Sequence, residues 1–443
     1  MMNARESAFL SLQKHENSGA YSNIELAYAI ERGGLEGAEK ALYTALFYGV
    51  IERKLTLDYY ISLLSDRKDI DANVRIILRI GLYQLIYMTK VPESAAVNES
   101  VKLARRFYAR KNSENFINAV LRNFLRKRQT LRLPDEKKDP IRRLSVEYSV
   151  PEWICRLWLE SYGKEKTVKI LQTVNNRPSL TLTVNTLKSS PAALSEALNL
   201  AGIKAELSPV SRYSVLLDGA VPISSLDSFE GNFFVQDEAS ALCVAAMGAK
   251  PGDRVLDACA CPGGKSFGMA LSMNNEGSIR SLDLHKNKLS LIESGAQKLG
   301  ISIIETGVQN ASVHNPEMPV FDKILCDVPC SGLGVIAKKP DIRYKSEEDI
   351  VRLPILQAKI LETNSAYLKA GGTLVYSTCT INPAENRKIV ESFLATHPEF
   401  SLCPFTAGSI VCDGMLEILP YEYHTDGFFI AKLCKRTTLS QSI

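Results

Sequence analysis

The 443-residue chain has no uninterrupted apolar run long enough to cross a bilayer, so no helical membrane span is expected. Met1–Lys14 lacks the basic stretch and apolar core of a secretory leader, and none is expected. The ten cysteines show no disulfide-framework spacing, which implies a reducing, cytoplasmic setting. Histidine is scarce, with five scattered copies, and neither Cys259-Ala260-Cys261 nor Cys326–Cys330 is a C-x-x-C pair. Zinc is therefore the weaker reading, and no metal is expected. Phosphate-binding fingerprints are missing too. Gly263-Gly264 lacks the spacing of G-x-G-x-x-G, and Lys265-Ser266 lacks the upstream glycine of a Walker A loop.

What is present is ordinary in bulk and uneven in distribution. Hydrophobic residues make up 45% and charged residues 23%, the balance of a folded globular protein. A chain of this length exceeds one ordinary core, so two or three domains are expected. The net charge of +4 hides an asymmetry: 14 Lys/Arg face 4 Asp/Glu between Val101 and Arg143, a local +10 that leaves −6 elsewhere. Such a block fits a polyanion touched at one place, and Phe107, Tyr108 and Phe124 within it are candidates to stack on bases. A solvated helix face is the plainer alternative.

Taken in order, residues 1–130 read as all-helical. Val74, Ile77, Leu78, Gly81, Leu82, Leu85 and Ile86 keep the i, i+3, i+4 rhythm of one buried face. Asn118 begins a basic helix and reads as an N-terminal cap or a structural hydrogen bond rather than a catalytic group. Residues 131–150, with Pro134 and Pro140 amid charges, read as a linker. Residues 151–235 form a helical stretch and then a β-α-β-β pattern, a small α/β subdomain. From residue 236 to 443 strands and helices alternate, with strands expected at 255–258, 279–284, 321–326 and 372–377. That pattern implies a parallel sheet with ligands at its strand C-termini.

Residues 255–266 open this last domain. An apolar strand ends at Asp257, and a Pro-Gly-Gly turn leads into a helix whose first N–H groups lack partners. Asp283 ends the next strand, where a carboxylate can accept the ribose hydroxyls of an adenosyl ligand; a helix cap is the alternative. Asp327-Val328-Pro329-Cys330 and Ser377-Thr378-Cys379 end two further strands. Cys326 lies within its strand and reads as a small core residue. Cys330 and Cys379 follow their strands in turns, where exposure to a pocket is expected. An amino-group methyltransferase would show an Asn/Asp-Pro-Pro-aromatic tetrad, which Asp327-Val328-Pro329-Cys330 is not.

Two resemblances add to this reading. Val97-Asn98-Glu99-Ser100-Val101 and Phe116–Arg122 resemble the NusB family, an all-helical RNA-binding fold. Asp257-Ala258-Cys259-Ala260-Cys261-Pro262-Gly263-Gly264-Lys265, Asp327-Val328-Pro329-Cys330-Ser331-Gly332, Ser377-Thr378-Cys379 and the closing Asp426–Lys432 resemble the Sun-type RNA cytosine-C5 methyltransferases. Arg177-Pro178 and Val184–Lys188 resemble the extension that precedes the catalytic domain in that family. The fold class implied is an all-α NusB-like domain plus α/β, a Rossmann-like methyltransferase sheet preceded by the small β-α-β-β subdomain. The activity implied is methylation of cytosine C5 in 16S rRNA with S-adenosylmethionine (AdoMet), free RNA or an assembling small subunit being the partner. Nothing in the sequence demands more than a monomer.

C5 of cytosine is a poor nucleophile, so a thiolate must first add at C6. Residue chemistry does not separate the two cysteines; the resemblance assigns the attack to Cys379 and a part in product release to Cys330. It assigns Asp327 to the N3 edge of the base. DNA cytosine methyltransferases attack instead with the cysteine of a Pro-Cys pair, the position of Cys330. AdoMet contacts carry over onto Cys259, Ala260, Cys261, Pro262, Gly263, Gly264, Lys265, Asp283 and Asp327. Asn310 stands where the family has an acidic residue near the adenine, and Cys261 replaces a usual alanine. The same chemistry on tRNA, or a non-catalytic RNA-binding assembly factor, are the alternatives.

Overall fold

The computed structural model describes residues 2–18, 22–67, 69–108, 112–176, 179–219, 221–423 and 425–437. The Arg177-Pro178 turn, and Arg110 and Lys111 of the basic block, lie outside the described residues. Contacts divide the chain into two units, Met1–Asn176 with Ile336–Lys345, and Arg177–Val335 with Ser346–Ile443.

The first unit is helical: α1 (Ala4–Ser18), α2 (Ser22–Gly33), α3 (Gly37–Glu52), α4 (Lys54–Leu64), α5 (Ala72–Tyr87), α6 (Glu93–Phe107), α7 (Ser113–Lys127), α8 (Pro140–Tyr148) and α9 (Glu152–Thr173). Asp71 caps α5 by accepting from the Asn73 N–H, and the helix buries Val74, Ile77, Leu78, Gly81 and Leu82 as its rhythm predicts. A Cβ on Gly81 would come within 2.8 Å of both Leu121 Cδ1 and Ser100 Oγ, so α5 meets α6 and α7 at a glycine. The basic helices α6 and α7 turn Val97, Leu103, Ile117, Val120 and Leu121 inward. Phe124 is buried in the same core, and Phe107 and Tyr108 pack against it. Burial of Phe124 corrects its reading as a base-stacking group, while Phe107 and Tyr108 remain half-exposed. Asn118 lies inside α7 rather than at its cap, and its Oδ1 accepts from Arg122 Nε at 2.9 Å.

The stretch read as a linker contains a helix. Asp139 accepts from the Arg142 N–H and Pro140 occupies the first turn, so the proline that looks like a breaker starts α8. The segment Ile336–Lys345 delivers Arg343 into this unit, fully buried. Its guanidinium donates to the carbonyls of Glu52 (2.8 Å), Ser149 (3.0 Å) and Val174 (3.1 Å), to Pro340 O (3.1 Å) and to Asn175 Oδ1 (3.1 Å). Three of these carbonyls end α3, α8 and α9, so one cation gathers three negative helix ends.

The second unit holds two larger sheets. The smaller contains β1 (Leu180–Val184), β2 (Ala205–Leu207), β3 (Ser214–Leu217) and β4 (Phe233–Val235) in the order β2-β3-β1-β4, with α10 (Pro191–Leu200) between β1 and β2. Asn185, just past β1, donates to Gly231 O and to Leu299 O, each at 2.8 Å, and so ties this sheet to the catalytic-type domain. That domain runs α11 (Glu238–Met247), β5 (Arg254–Asp257), α12 (Gly264–Ser272), β6 (Ser278–Asp283), α13 (Lys286–Leu299), β7 (Ile304–Val308) and β8 (Phe321–Asp327). It continues through α14 (Glu347–Val351), α15 (Leu353–Ser365), β9 (Leu368–Thr378), α16 (Arg387–Thr396), β10 (Phe400–Leu402), the β11 (Phe405–Ala407)–β12 (Ile410–Cys412) hairpin, β13 (Met415–Ile418) and β14 (Phe428–Lys435).

The large sheet has the order β10-β14-β9-β8-β5-β6-β7, with β13 beside β14. Strands β5 to β9 are parallel, as expected, and β14 runs antiparallel to β9. Sequence reading did not identify β7, a half-exposed strand with a glycine, or β14. The cysteine spacing shows no disulfide framework, but the antiparallel pairing of β10 with β14 brings Cys403 and Cys434 into a disulfide across 31 residues. No helix among the described residues is long and apolar enough to cross a membrane.

Arg343→Met leaves three helix-end carbonyls without their donor. A loss of about 3–5 kcal/mol from the helical unit is expected. Both tryptophans of the chain, Trp153 and Trp158, lie on α9, so urea unfolding followed by tryptophan fluorescence reads this unit. An unchanged midpoint would show that the carbonyls find other partners.

Candidate active site

Strand order places the C-terminal ends of β9, β8, β5 and β6 side by side on one edge. The chain leaves β5 toward β6 and β7, then returns to β8 on the other flank, which opens a crevice at the switch point. Asp257, Asp283 and Asp327 end β5, β6 and β8, and Cys379 follows β9.

The glycine turn is laid between strands by backbone bonds, Ala258 N–H to Leu325 O (3.0 Å) and Ala260 N–H to Leu282 O (2.8 Å). The Cys261–Pro262 peptide is cis, and Gly263 has φ of 110°. A Cβ on Gly263 would also lie 2.7 Å from Phe267 Cζ, so glycine is required on both counts. Helix α12 starts here without a side-chain cap. Asp283 accepts from Cys261 N–H (3.3 Å) through Oδ2 and from His285 N–H (2.9 Å) through Oδ1. Gln309 N–H donates to Asp283 O at 3.1 Å, which brings exposed Asn310 to the same edge. Asn310 Oδ1 accepts from Ser312 N–H (3.0 Å) and Oγ (2.8 Å), leaving its NH2 group as the donor.

Lys265 turns away from the Asp283 side. Its Nζ donates to Asp327 Oδ2 at 2.7 Å and lies 5.2 Å from the centre of the Phe428 ring. Burial, the largest single effect, works against its charge, but the Asp327 carboxylate together with the nearby Cys243 and Cys379 thiols pushes Lys265 up on balance. Ser377, in register with Asp327 across β8 and β9, donates to Asp327 Oδ1 at 2.7 Å. The sulfurs of Cys330 and Cys379 are 3.3 Å apart, and both residues are partly exposed. Contact with Cys379, together with burial, pushes the Cys330 thiol well above its ordinary range. Cys326 is fully buried, a core residue as its position within the strand implies.

All the anticipated site residues thus fall on one sheet edge. Asp257 was not singled out as a binding group. It is 1% exposed, its Oδ2 accepts from Ser266 Oγ at 2.7 Å, and its Oδ1 has no hydrogen-bond partner. A carboxylate ending the first strand of the sheet was the signal available. Ser377 was legible only through the β8–β9 register, and Gln357, which donates to Pro329 O at 3.0 Å from α15, left no sequence signal.

Fold and site define a Rossmann-like methyltransferase carrying an α/β extension and a NusB-like helical front end. Family models match accordingly: 16S rRNA methyltransferase RsmB/F over residues 244–434, the NusB family over 2–126, and a RsmF/B-like ferredoxin-like domain over 150–224. The chain is 38% identical to the probable ribosomal RNA small subunit methyltransferase B of Bacillus subtilis, covering 98% of each chain. It is 34% identical to the ribosomal RNA small subunit methyltransferase B of Klebsiella pneumoniae, covering 90% of each. A solved methyltransferase homolog protein from Pyrococcus horikoshii, 27% identical, superposes with a TM-score of 0.59 over 67% of this chain and 99% of that one. The chain belongs to the ribosomal RNA small subunit methyltransferase B family, within the Sun-type group.

Burial raises the Asp257 carboxyl to about 7, Ser266 and Lys265 offsetting it only in part. Folded protein therefore keeps a proton that the unfolded chain has released, and stability falls as pH rises from about 4 through 7. Asp257→Asn should gain on the wild type by up to about 4 kcal/mol across that window. Parallel urea titrations at pH 5 and pH 8 check this; equal differences at both would show that Asp257 is ionised throughout.

Proposed function

We propose that this protein transfers a methyl group from AdoMet to C5 of a cytosine in 16S rRNA through a covalent bond between Cys379 and C6. The observation that carries the proposal is the pair of thiols in contact at the ends of adjacent strands, beside Asp327. Names of the relatives in Bacillus and Klebsiella support the ribosomal target.

The β5–β6–β7 ends fit AdoMet. Asp257 Oδ1 is a buried acceptor that lacks a partner, a match for the ammonium group. Asp283 would accept from the ribose hydroxyls, the Asn310 NH2 would meet the adenine edge, and residues 259–264 would line the backbone side. AdoMet supplies an electrophilic methyl group.

The remaining work falls to this chain. Contact with Cys379 and burial push the Cys330 thiol up, so Cys330 is the member of the pair assigned to keep its proton and Cys379 the one assigned the attack. Its addition to C6 shifts the C5=C6 π electrons toward C5 and N3. Asp327, held between the Lys265 ammonium and Ser377, meets the N3 edge and relays a proton from that ammonium to N3 as charge builds. Once C5 carries its methyl group, the C5 proton passes to solvent, the C5–H electrons re-form the C5=C6 bond, the Cys379 sulfur departs with the C6–S electrons, and N3 returns its proton through Asp327. Cys330, in contact with that sulfur, takes part in the release. The target base must be unpaired or flipped to reach these groups, at roughly a few kcal/mol.

RNA binding is ascribed to the helical unit. A groove of about 690 Å³ lies along α6 and α7, lined by Asn98, Lys102, Arg105, Glu114 and Asn118. Lys102 pairs with Glu99 at 2.7 Å and Arg105 with Glu114 at 2.8 Å. Exposed pairs of this kind contribute little, so phosphates can displace the carboxylates.

Cys379→Ala is expected to abolish both turnover and covalent trapping on 5-fluorocytosine RNA, whereas Cys330→Ala should accumulate a protein–RNA adduct seen by denaturing gel. The opposite pattern would reverse the roles, and bisulfite mapping of small-subunit RNA with and without the gene tests the target. Replacing Lys102, Arg105 and Arg122 by Glu should weaken RNA binding and lower the slope of log K against log salt by roughly 2. An unchanged slope would return this face to plain solvated surface.

A further inference from the structure

Glu385 has no part in the chemistry above, yet it is fully buried beside it. A carboxylate taken out of water is costly unless hydrogen bonds meet its charge. Here neutral groups do so: Oε2 accepts from the Ser331 N–H and from Gln357 Nε2, each at 2.8 Å, and Oε1 accepts from Asn382 Nδ2 at 3.0 Å. Ser331 directly follows Cys330. The same Gln357 Nε2 donates to the carbonyl of Pro329, which directly precedes Cys330. The peptide units on both sides of that cysteine are therefore held from one buried point. The loop after β9 is fastened to the same place, because Ser331 Oγ lies 2.7 Å from Thr380 Oγ1 and Gly334 N–H donates to Cys379 O at 3.1 Å.

We propose that Glu385, with Gln357 as its bridge, is a positioning residue that holds the Cys330 loop against Cys379 and thereby governs release of the methylated base. The inference rests on the assignment of Cys330 to that release. Contact with Cys379 and burial push the Cys330 thiol up, and the negative charge of Glu385 adds to both. Loss of Glu385 thus loosens the loop and makes Cys330 easier to ionise, while the cofactor side of the crevice, on β5 to β7, is untouched.

Two full-length variants, Glu385→Gln and Gln357→Met, test this with two readouts. The first is alkylation of each cysteine by iodoacetamide, resolved by peptide mass spectrometry from about pH 6 to pH 10. Cys330 should react about tenfold faster near neutral pH in Glu385→Gln, its pH profile moving to lower pH, with Cys379 changing less. The second is the lifetime of the methylated protein–RNA adduct, which should lengthen about tenfold in either variant while S-adenosylhomocysteine affinity stays within about twofold of wild type. Unchanged Cys330 reactivity in Glu385→Gln overturns the inference. So does a uniform loss of activity without adduct in both variants, the mark of a structural role only. If Glu385→Gln loses S-adenosylhomocysteine binding through misfolding, the adduct lifetime in Gln357→Met decides. Absence of any adduct in Cys330→Ala would instead refute the release assignment, and the alkylation profile would still judge Glu385.

Discussion

The contact between Lys265 and Asp327 is the constraint on which the active-site edge depends. Lys265 belongs to the first turn of α12, and Asp327 ends β8, so a single ion pair clamps the glycine turn to the central strand. Asp257 is buried near the same ammonium, with no cation of its own in direct contact. One positive charge thus serves two carboxylates that would otherwise oppose each other's ionisation. The side chains are only 14% and 27% exposed, which keeps water from weakening the pair. A lysine that the sequence presented as part of a ligand-binding turn is, in the fold, the link between that turn and the strand opposite.

Buried polar groups do similar work elsewhere in the chain. In the helical unit Arg343 is surrounded by carbonyl oxygens at helix ends, where a hydrophobic residue would leave them unpaired. At the thiol pair Glu385 is met by an amide N–H and two side-chain amides. Both arrangements join residues distant in sequence and tolerate few alternative geometries, because a partly satisfied buried charge is worse than none. They specify position more than they add stability.

Much of the site was legible in the sequence. Asp283, Asp327, Cys330 and Cys379 each follow an apolar run or end one, and parallel strands must place such residues on a common edge. The breaks in the reading have physical causes. β7 is a short edge strand that contains a glycine, Gly307, and half-exposed side chains, so its periodicity is weak. Pro140 looked like a terminator, but a proline after a capping Asp begins a helix. Phe124 sits among arginines in sequence, yet the helix period turns it into the core and Arg126 away.

By itself the sequence determined the succession of elements, the glycine turn and the two cysteines that end strands, because periodicity, glycine and proline act within a few residues of themselves. Only the tertiary structure decided which groups meet. The 3.3 Å contact of Cys330 with Cys379, the pairing of Lys265 with Asp327 and the burial of Glu385 all depend on strand order and register. Those are set by packing between segments far apart in the chain. A thiol's readiness to ionise and a carboxylate's need for a partner follow from such neighbours, and local sequence does not contain them.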